Sequence, residues 1–254
     1  MARTFIPLFL FALASNLSAD EGMWLYNRMP LEMLEKEHDF KPDDEFLGRL
    51  QRASVRLNNG GSGSFVSPDG LVMTNQHVAS DCIRKLSSEK KDYVADGFYA
   101  RSRSREMKCP DLELNVLMEI EEVTERVNRG VKPEMDEAAQ ADARKAERAR
   151  IEKDCRDSTL LRCDVVELYQ GGIFDLYKYQ RFDDVRLVFA PEFQMAFFGG
   201  DPDNFTYPRF NLDVSFLRVY KDGRAIESPA YLPVAAEGAA EGDFVMVWRK
   251  GVSP

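Results

Sequence analysis

Gly61-Ser62-Gly63-Ser64-Phe65-Val66-Ser67-Pro68-Asp69-Gly70-Leu71-Val72-Met73-Thr74-Asn75-Gln76-His77-Val78 is the stretch that decides the fold. Phe65-Val66 and Leu71-Val72-Met73 are short apolar runs of strand type. Between them Ser67-Pro68-Asp69-Gly70 is a turn with a mechanism, because Pro fixes φ and Gly accepts a positive φ. The stretch predicts a tight β-hairpin that delivers His77 to the end of a strand. The chain holds two histidines. His38, the other one, lies among Glu35, Lys36, Glu37 and Asp39 and reads as a solvated surface residue.

Outward from the hairpin, 254 residues suit one large or two modest domains, and 44% hydrophobic residues suffice for a core. A formal net charge of −9 argues against a nucleic-acid surface. The first residues resemble an export signal. Arg3 gives a positive start, Phe5 to Leu13 form an apolar core too short to span a bilayer, and Ser18-Ala19 precede Asp20-Glu21. Residues 1–19 are expected to be a signal peptide cleaved after Ala19; Pro7 and the lack of helical periodicity fit a buried N-terminal helix poorly. No other segment predicts a membrane span. Export permits disulfides. Cys82, Cys109, Cys155 and Cys163 allow three pairings, of which proximity favours Cys82–Cys109 and Cys155–Cys163. Zinc is the rival reading, weakened by the lack of a Cys-x-x-Cys pair, so neither metal nor cofactor is expected.

Residues 24–52 read as mostly helical, with Pro30 and Glu32 opening one helix and Lys41-Pro42-Asp43-Asp44 capping the next. Residues 112–127 return to strand-like alternation. Residues 132–155, from Pro133 to near Cys155, form a charged helix with few large apolar residues, which belongs on the surface or over another element. Its acids and bases interleave, against a nucleic-acid role. Beyond residue 163, Arg186 to Phe189 and Gln194 to Phe198 read as strands parted by Pro191. Val214 to Tyr220 alternates as a half-buried strand, with Lys221-Asp222-Gly223 as its turn.

Imidazole titrates near neutrality, which suits a general base, and the start of a helix after a strand holds such a ring on a fixed backbone. His77 is therefore the candidate base. Such a base needs a carboxylate to hold its tautomer. Asp213 stands out because it opens an apolar strand, where a carboxylate wants a partner; a turn-capping Asp is the plainer alternative. A nucleophilic serine on a Gly-rich oxyanion loop is missing. Ser62 and Ser64 precede His77 in the hairpin, Ser215 lies inside a strand, and there is no Gly-x-Ser-x-Gly, phosphate loop or His-Glu-x-x-His.

Glu21-Gly22-Met23-Trp24, Tyr93-x-x-Asp96-Gly97-Phe98, Asp184 to Glu192, and above all Phe198-Gly199-Gly200-Asp201-Pro202-Asp203-Asn204-Phe205-Thr206-Tyr207-Pro208-Arg209 with Asp213 to Tyr220 resemble the S46 family of bacterial serine peptidases, the dipeptidyl-peptidase 7 and 11 type. The likeness spans about residues 20–247. It implies a mainly β fold with α additions: a chymotrypsin-like (trypsin-like) double β-barrel with a large helical domain between the barrels. This chain would supply the first barrel and a charged helical insertion at about 132–155. It also implies an exported, periplasmic or secreted enzyme that releases dipeptides from free peptide N-termini, with a homodimer for the full-length member. By motif, His77 would be the base and Asp213 its acid. Asn204 would accept a hydrogen bond from the substrate's ammonium, and Phe205 would stand at the aromatic wall beside it.

Three positions depart from the family pattern. Phe210 stands where many relatives have His. The family's Gly-Asn-Ser-Gly-Ser stretch is absent, and Phe244-Val245-Met246-Val247 matches a family strand that Trp248 to Pro254 do not continue. The chain is thus expected to be the N-terminal portion of a truncated or frameshifted member, without the helical domain, second barrel and nucleophile, and inactive alone. The competing readings are an inactive remnant or peptide-binding fragment, and an HtrA-like endoprotease.

Overall fold

The computed structural model describes residues 23–200, 208 and 210–247. In chain order the elements are α1 (Leu31–His38), α2 (Asp44–Ala53), β1 (Ser54–Leu57), β2 (Ser62–Phe65), β3 (Leu71–Thr74), α3 (Gln76–Leu86), α4 (Tyr93–Asp96), β4 (Phe98–Tyr99), β5 (Met107–Lys108), β6 (Leu114–Glu122), α5 (Thr124–Asn128), α6 (Glu137–Thr159), β7 (Arg162–Leu168), β8 (Ile173–Phe182), β9 (Asp184–Ala190), α7 (Phe193–Ala196), β10 (Ser215–Lys221) and β11 (Arg224–Ala225). One antiparallel sheet runs β4-β9-β10-β3-β2-β1-β6-β8-β7, with β5 on β9 and β11 on β10. Among the described residues no helix is long and apolar enough to cross a membrane.

The β2–β3 hairpin follows from its turn. Gly70 sits at φ 73°, and an added Cβ there would come within 2.9 Å of Ile226. The Ser67 hydroxyl donates to the Asp69 carboxylate, and Val66 N–H donates to Leu71 O at 2.8 Å to close the loop. At the β10–β11 turn, Asp222 and Gly223 both take positive φ, the geometry whose twist matches paired strands.

The main core lies between the sheet and α3, with Val55, Leu57, Phe65, Val72, Leu187 and Leu217 packed on Ala79 and Ile83. Helix α3 buries Gln76, Ala79, Cys82 and Ile83, spaced three to four apart, so His77 on the opposite side faces outward. Cys82 is bridged to Cys109. A second core forms where α5 and α6 cover β7 and β8, through Val127, Ile151, Val165, Phe174 and Leu176, and the Cys155–Cys163 bridge staples it.

The strand path does not close: β4 and β7 are its two ends. The nine and ten residues of β6 and β8 outrun the four-residue strands β1 to β3 and carry the sheet on to β7 and the second core. Several local expectations shift. The charged helix begins at Glu137, where Asp136 accepts a hydrogen bond from Ala139 N–H, and runs to Thr159. The alternating stretch from 112 ends as a strand at Glu122 and becomes α5. Gln194 to Phe198 is not a strand: Glu192 accepts from Gln194 N–H at 2.8 Å and starts the helical turn α7. Phe244 to Val247 is not in a strand. His38 is half-buried, stacked on Phe244 at 4.3 Å between ring centroids. Residues 1–19 and the segment from Trp248 lie outside the described residues.

Candidate active site

Two adjacent strands build the site. Strand β3 ends at Thr74, whose hydroxyl donates to Ser62 O at 2.7 Å and ties it to β2. The chain then turns through Asn75 into α3, placing His77 in the first helical turn. Antiparallel β10 pairs Ser215 with Thr74. The residues just before β10 therefore face those just after β3, which brings Asp213 to His77 across 136 positions of sequence.

His77 Nδ1 and Asp213 Oδ2 are 2.7 Å apart. His77 N–H donates to Asp213 Oδ1 at 3.1 Å, and Asn75 Nδ2 donates to the same residue's carbonyl and to Oδ2, each at 3.2 Å. The carboxylate thus orients the ring and also caps α3, satisfying an N–H that a helix start leaves open. The imidazole is 56% exposed and the carboxylate 16%, so the pair has one protected and one accessible member. Phe198 meets the ring edge-on at 5.9 Å. With Nδ1 facing a carboxylate, Nε2 is left to take up a proton.

Among the described residues no hydroxyl hydrogen bonds to that nitrogen. Ser62 and Ser64 stand in β2, and the Ser215 hydroxyl is buried without a partner. Asn204 and Phe205 lie outside the described residues. All four cysteines are in disulfides, which takes them out of any zinc site.

Behind the site, the same two strands are locked at their far ends. Arg218 of β10 pairs with Leu71 of β3 and reaches Asp69 in the hairpin turn, with Nη1 at 2.8 Å from its carbonyl and 2.9 Å from its carboxylate. Arg218 Nε donates to Glu106 at 3.0 Å, and the Tyr220 hydroxyl donates to the other Glu106 oxygen at 2.8 Å. Partial burial pushes the Asp69 carboxyl up, but the Ser67 hydroxyl and the Arg218 and Arg103 guanidiniums outweigh it and hold it below the usual range. Sequence reading singled out neither this lock nor the bonds of Asn75. The Thr-Asn-x-His spelling was the one available signal for Asn75, and Arg218 gave none.

A family model described as Peptidase S46 matches residues 19–249. Dipeptidyl-peptidase 7 of Capnocytophaga gingivalis is 32% identical over 260 residues, covering 95% of this chain and 36% of that protein. The Asp/Glu-specific dipeptidyl-peptidase of Porphyromonas gingivalis is 28% identical over 269 residues, covering 96% of this chain and 37% of its own length. The crystal structure of Porphyromonas endodontalis DPP11 in complex with substrate superposes with a TM-score of 0.73 at 27% identity, over 88% of this chain and 36% of that one. The same protein in complex with the dipeptide Arg-Glu gives 0.72 at 26% identity. The chain spans little more than a third of the length of these relatives.

Proposed function

The chain belongs to the peptidase S46 family, and from that membership we propose that it is the base-bearing portion of an exported serine dipeptidyl peptidase. The substrate class is peptides with a free N-terminus, from which dipeptides are released. The observation that carries the reading is the His77–Asp213 contact of 2.7 Å, made by residues 136 apart at the ends of paired strands. Asp213 accepts a hydrogen bond from Nδ1–H and fixes the ring, and Nε2 draws the proton from a serine hydroxyl as it attacks the scissile carbonyl. The same proton is then delivered to the leaving amine, and water repeats the cycle on the acyl-enzyme.

The nucleophile is supplied by sequence these 254 residues do not contain. No Gly-Asn-Ser-Gly or Gly-Asp-Ser-Gly occurs in them, and Nε2 meets no hydroxyl among the described residues. By motif, Asn204 is assigned as the acceptor for the substrate's ammonium and Phe205 as the aromatic beside it, roles that exclude a blocked or longer N-terminus. In this reading the open antiparallel sheet supplies the strands of the first barrel of a chymotrypsin-like pair. Two disulfides favour an oxidising compartment, in keeping with export by residues 1–19.

Purified chain is expected neither to turn over a fluorogenic dipeptidyl substrate nor to be labelled by a serine-reactive phosphonate. Turnover abolished by His77→Ala would overturn the missing nucleophile. Reading the DNA beyond codon 247 in all three frames tests the other half. A Gly-Asn-Ser-Gly-Ser coding stretch supports the peptidase; none in any frame leaves a non-catalytic remnant.

A further inference from the structure

Asparagine at the position just before a helix usually turns its own oxygen back to accept the N–H two or three residues on. Asn75 occupies that position before α3, with extended φ −77° and ψ 152°, and makes no such bond. The N–H it would have capped, that of His77, is taken by Asp213 Oδ1 from 136 residues away. Relieved of capping, the Asn75 side chain points to Asp213. Both atoms it meets, the Asp213 carbonyl oxygen and Oδ2, can only accept. The end of the amide facing them must therefore be the NH2 group, since the oxygen there would meet two other oxygens.

We propose that Asn75 is a positioning residue, whose side-chain amide fixes the rotamer of Asp213 and through it the tautomer of His77. The inference rests on reading His77 and Asp213 as base and acid. Oδ1 is held by the His77 backbone, and Oδ2 is shared between His77 Nδ1 and Asn75 Nδ2. Donors on both oxygens fix the plane of the carboxylate. The bond from Asn75 to the Asp213 carbonyl ties that plane to the backbone. The arrangement matters because free histidine in water favours the proton on Nε2, which leaves no lone pair for base catalysis. Holding the proton on Nδ1 needs an acceptor that cannot swing away, and the ring itself is more than half exposed. Asn75 is also exposed, so its bonds add little to global stability while setting local orientation.

The 254-residue chain itself serves for the test, with 15N-labelled histidine and two-bond proton–nitrogen correlation spectra at neutral to alkaline pH. His38 is the internal reference, as the only other histidine. Wild-type His77 is expected mainly as the Nδ1–H tautomer. Asn75→Ser keeps a good helix-starting residue but cannot reach both acceptors. It should raise the Nε2–H to Nδ1–H ratio of His77 about fivefold, the scale of one ordinary intramolecular hydrogen bond at an exposed position, with His38 and the melting curve unchanged. Asn75→Asp keeps the shape and puts an acceptor against the carboxylate, so it should shift the ratio further. Either variant alone suffices if the other fails to fold. A wild-type ratio in the folded variants overturns the role of Asn75, provided Asp213→Asn still moves His77. No change in Asp213→Asn either would overturn the base–acid pair itself.

Discussion

Asp213 does two things with one carboxylate, and they separate by substitution. Oδ1 caps α3 through the His77 N–H, and Oδ2 faces the ring. Asp213→Ala removes both and should destabilise the chain by about 1–2 kcal/mol, the usual worth of a lost cap. The melting temperature would fall by a few degrees, on the order of 2–4 °C per kcal/mol at this size. Asp213→Asn keeps one oxygen to cap the helix but turns an N–H toward the ring. It should recover most of the stability while leaving the imidazole in the wrong tautomer. Equal melting temperatures for wild type and Asp213→Ala would show that the cap contributes nothing. Neighbouring Gly63 shows a different constraint, where Ser62-Gly63-Ser64 lies along β3. A Cβ on Gly63 would stand 2.7 Å from the Met73 carbonyl oxygen, so the strand that leads into His77 could not stay in place.

At the scale of elements, β3 and β10 are one device: the site at one end of the pair and the Arg218 lock at the other. The Arg218 and Glu106 side chains are 10% and 3% exposed, so this pair is buried, unlike most of the ion pairs on the surface. Arg218→Met would leave Glu106 charged and without its cation and should cost about 3–5 kcal/mol. Adding Glu106→Gln should recover much of that, because the stranded charge is gone. Urea titrations of the two single variants and the double decide it, and strictly additive losses would mean the two side chains act independently. Little of this lock was legible beforehand. The Ser67-Pro68-Asp69-Gly70 turn is readable because its residues set φ locally. The helix from Asp44 is readable because Asp43 caps it, accepting from Phe46 N–H at 2.7 Å. Glu106 and Arg218 are 112 positions apart, and nothing local marks either one. The apolar run Gln194 to Phe198 misleads for a related reason. Short apolar runs suit strand and helix alike, and the Glu192 side chain tips this one into a turn. The Asp213 partnership was half legible, since the apolar strand after it announces a need for a partner but does not name which.

The whole molecule carries 43 acidic and 34 basic side chains, so its response to acid is set by how many carboxylates folding places against cations. Lys178 holds the Glu121 carboxyl below its usual range, and Arg186 does the same for Asp184. Asp69 is held low too, by Ser67, Arg218 and Arg103 against its burial. Each of these groups binds its proton more readily in the unfolded chain, where Asp and Glu titrate at about 3.9 and 4.3. Their contribution is therefore complete above about pH 5 and is lost as pH falls through the lower values they have when folded. Protonation also strips the negative charge that balances the Lys and Arg side chains, and the resulting repulsion acts in the same direction. The urea midpoint should be nearly flat from pH 8 to pH 5 and fall steeply below about pH 4. Lys178→Met isolates one part of this. Lys178 Nζ lies 2.9 Å from Glu121 and 3.0 Å from Glu119, and Met keeps its aliphatic length without the charge. The variant should be less stable than wild type by about 1 kcal/mol at pH 7, the upper range for partly exposed pairs. The two curves should then converge as pH falls, because protonated carboxylates no longer need the lysine. A gap that stayed constant from pH 7 to pH 3 would assign the loss to packing and remove Glu121 from the set of groups that make this fold acid-sensitive.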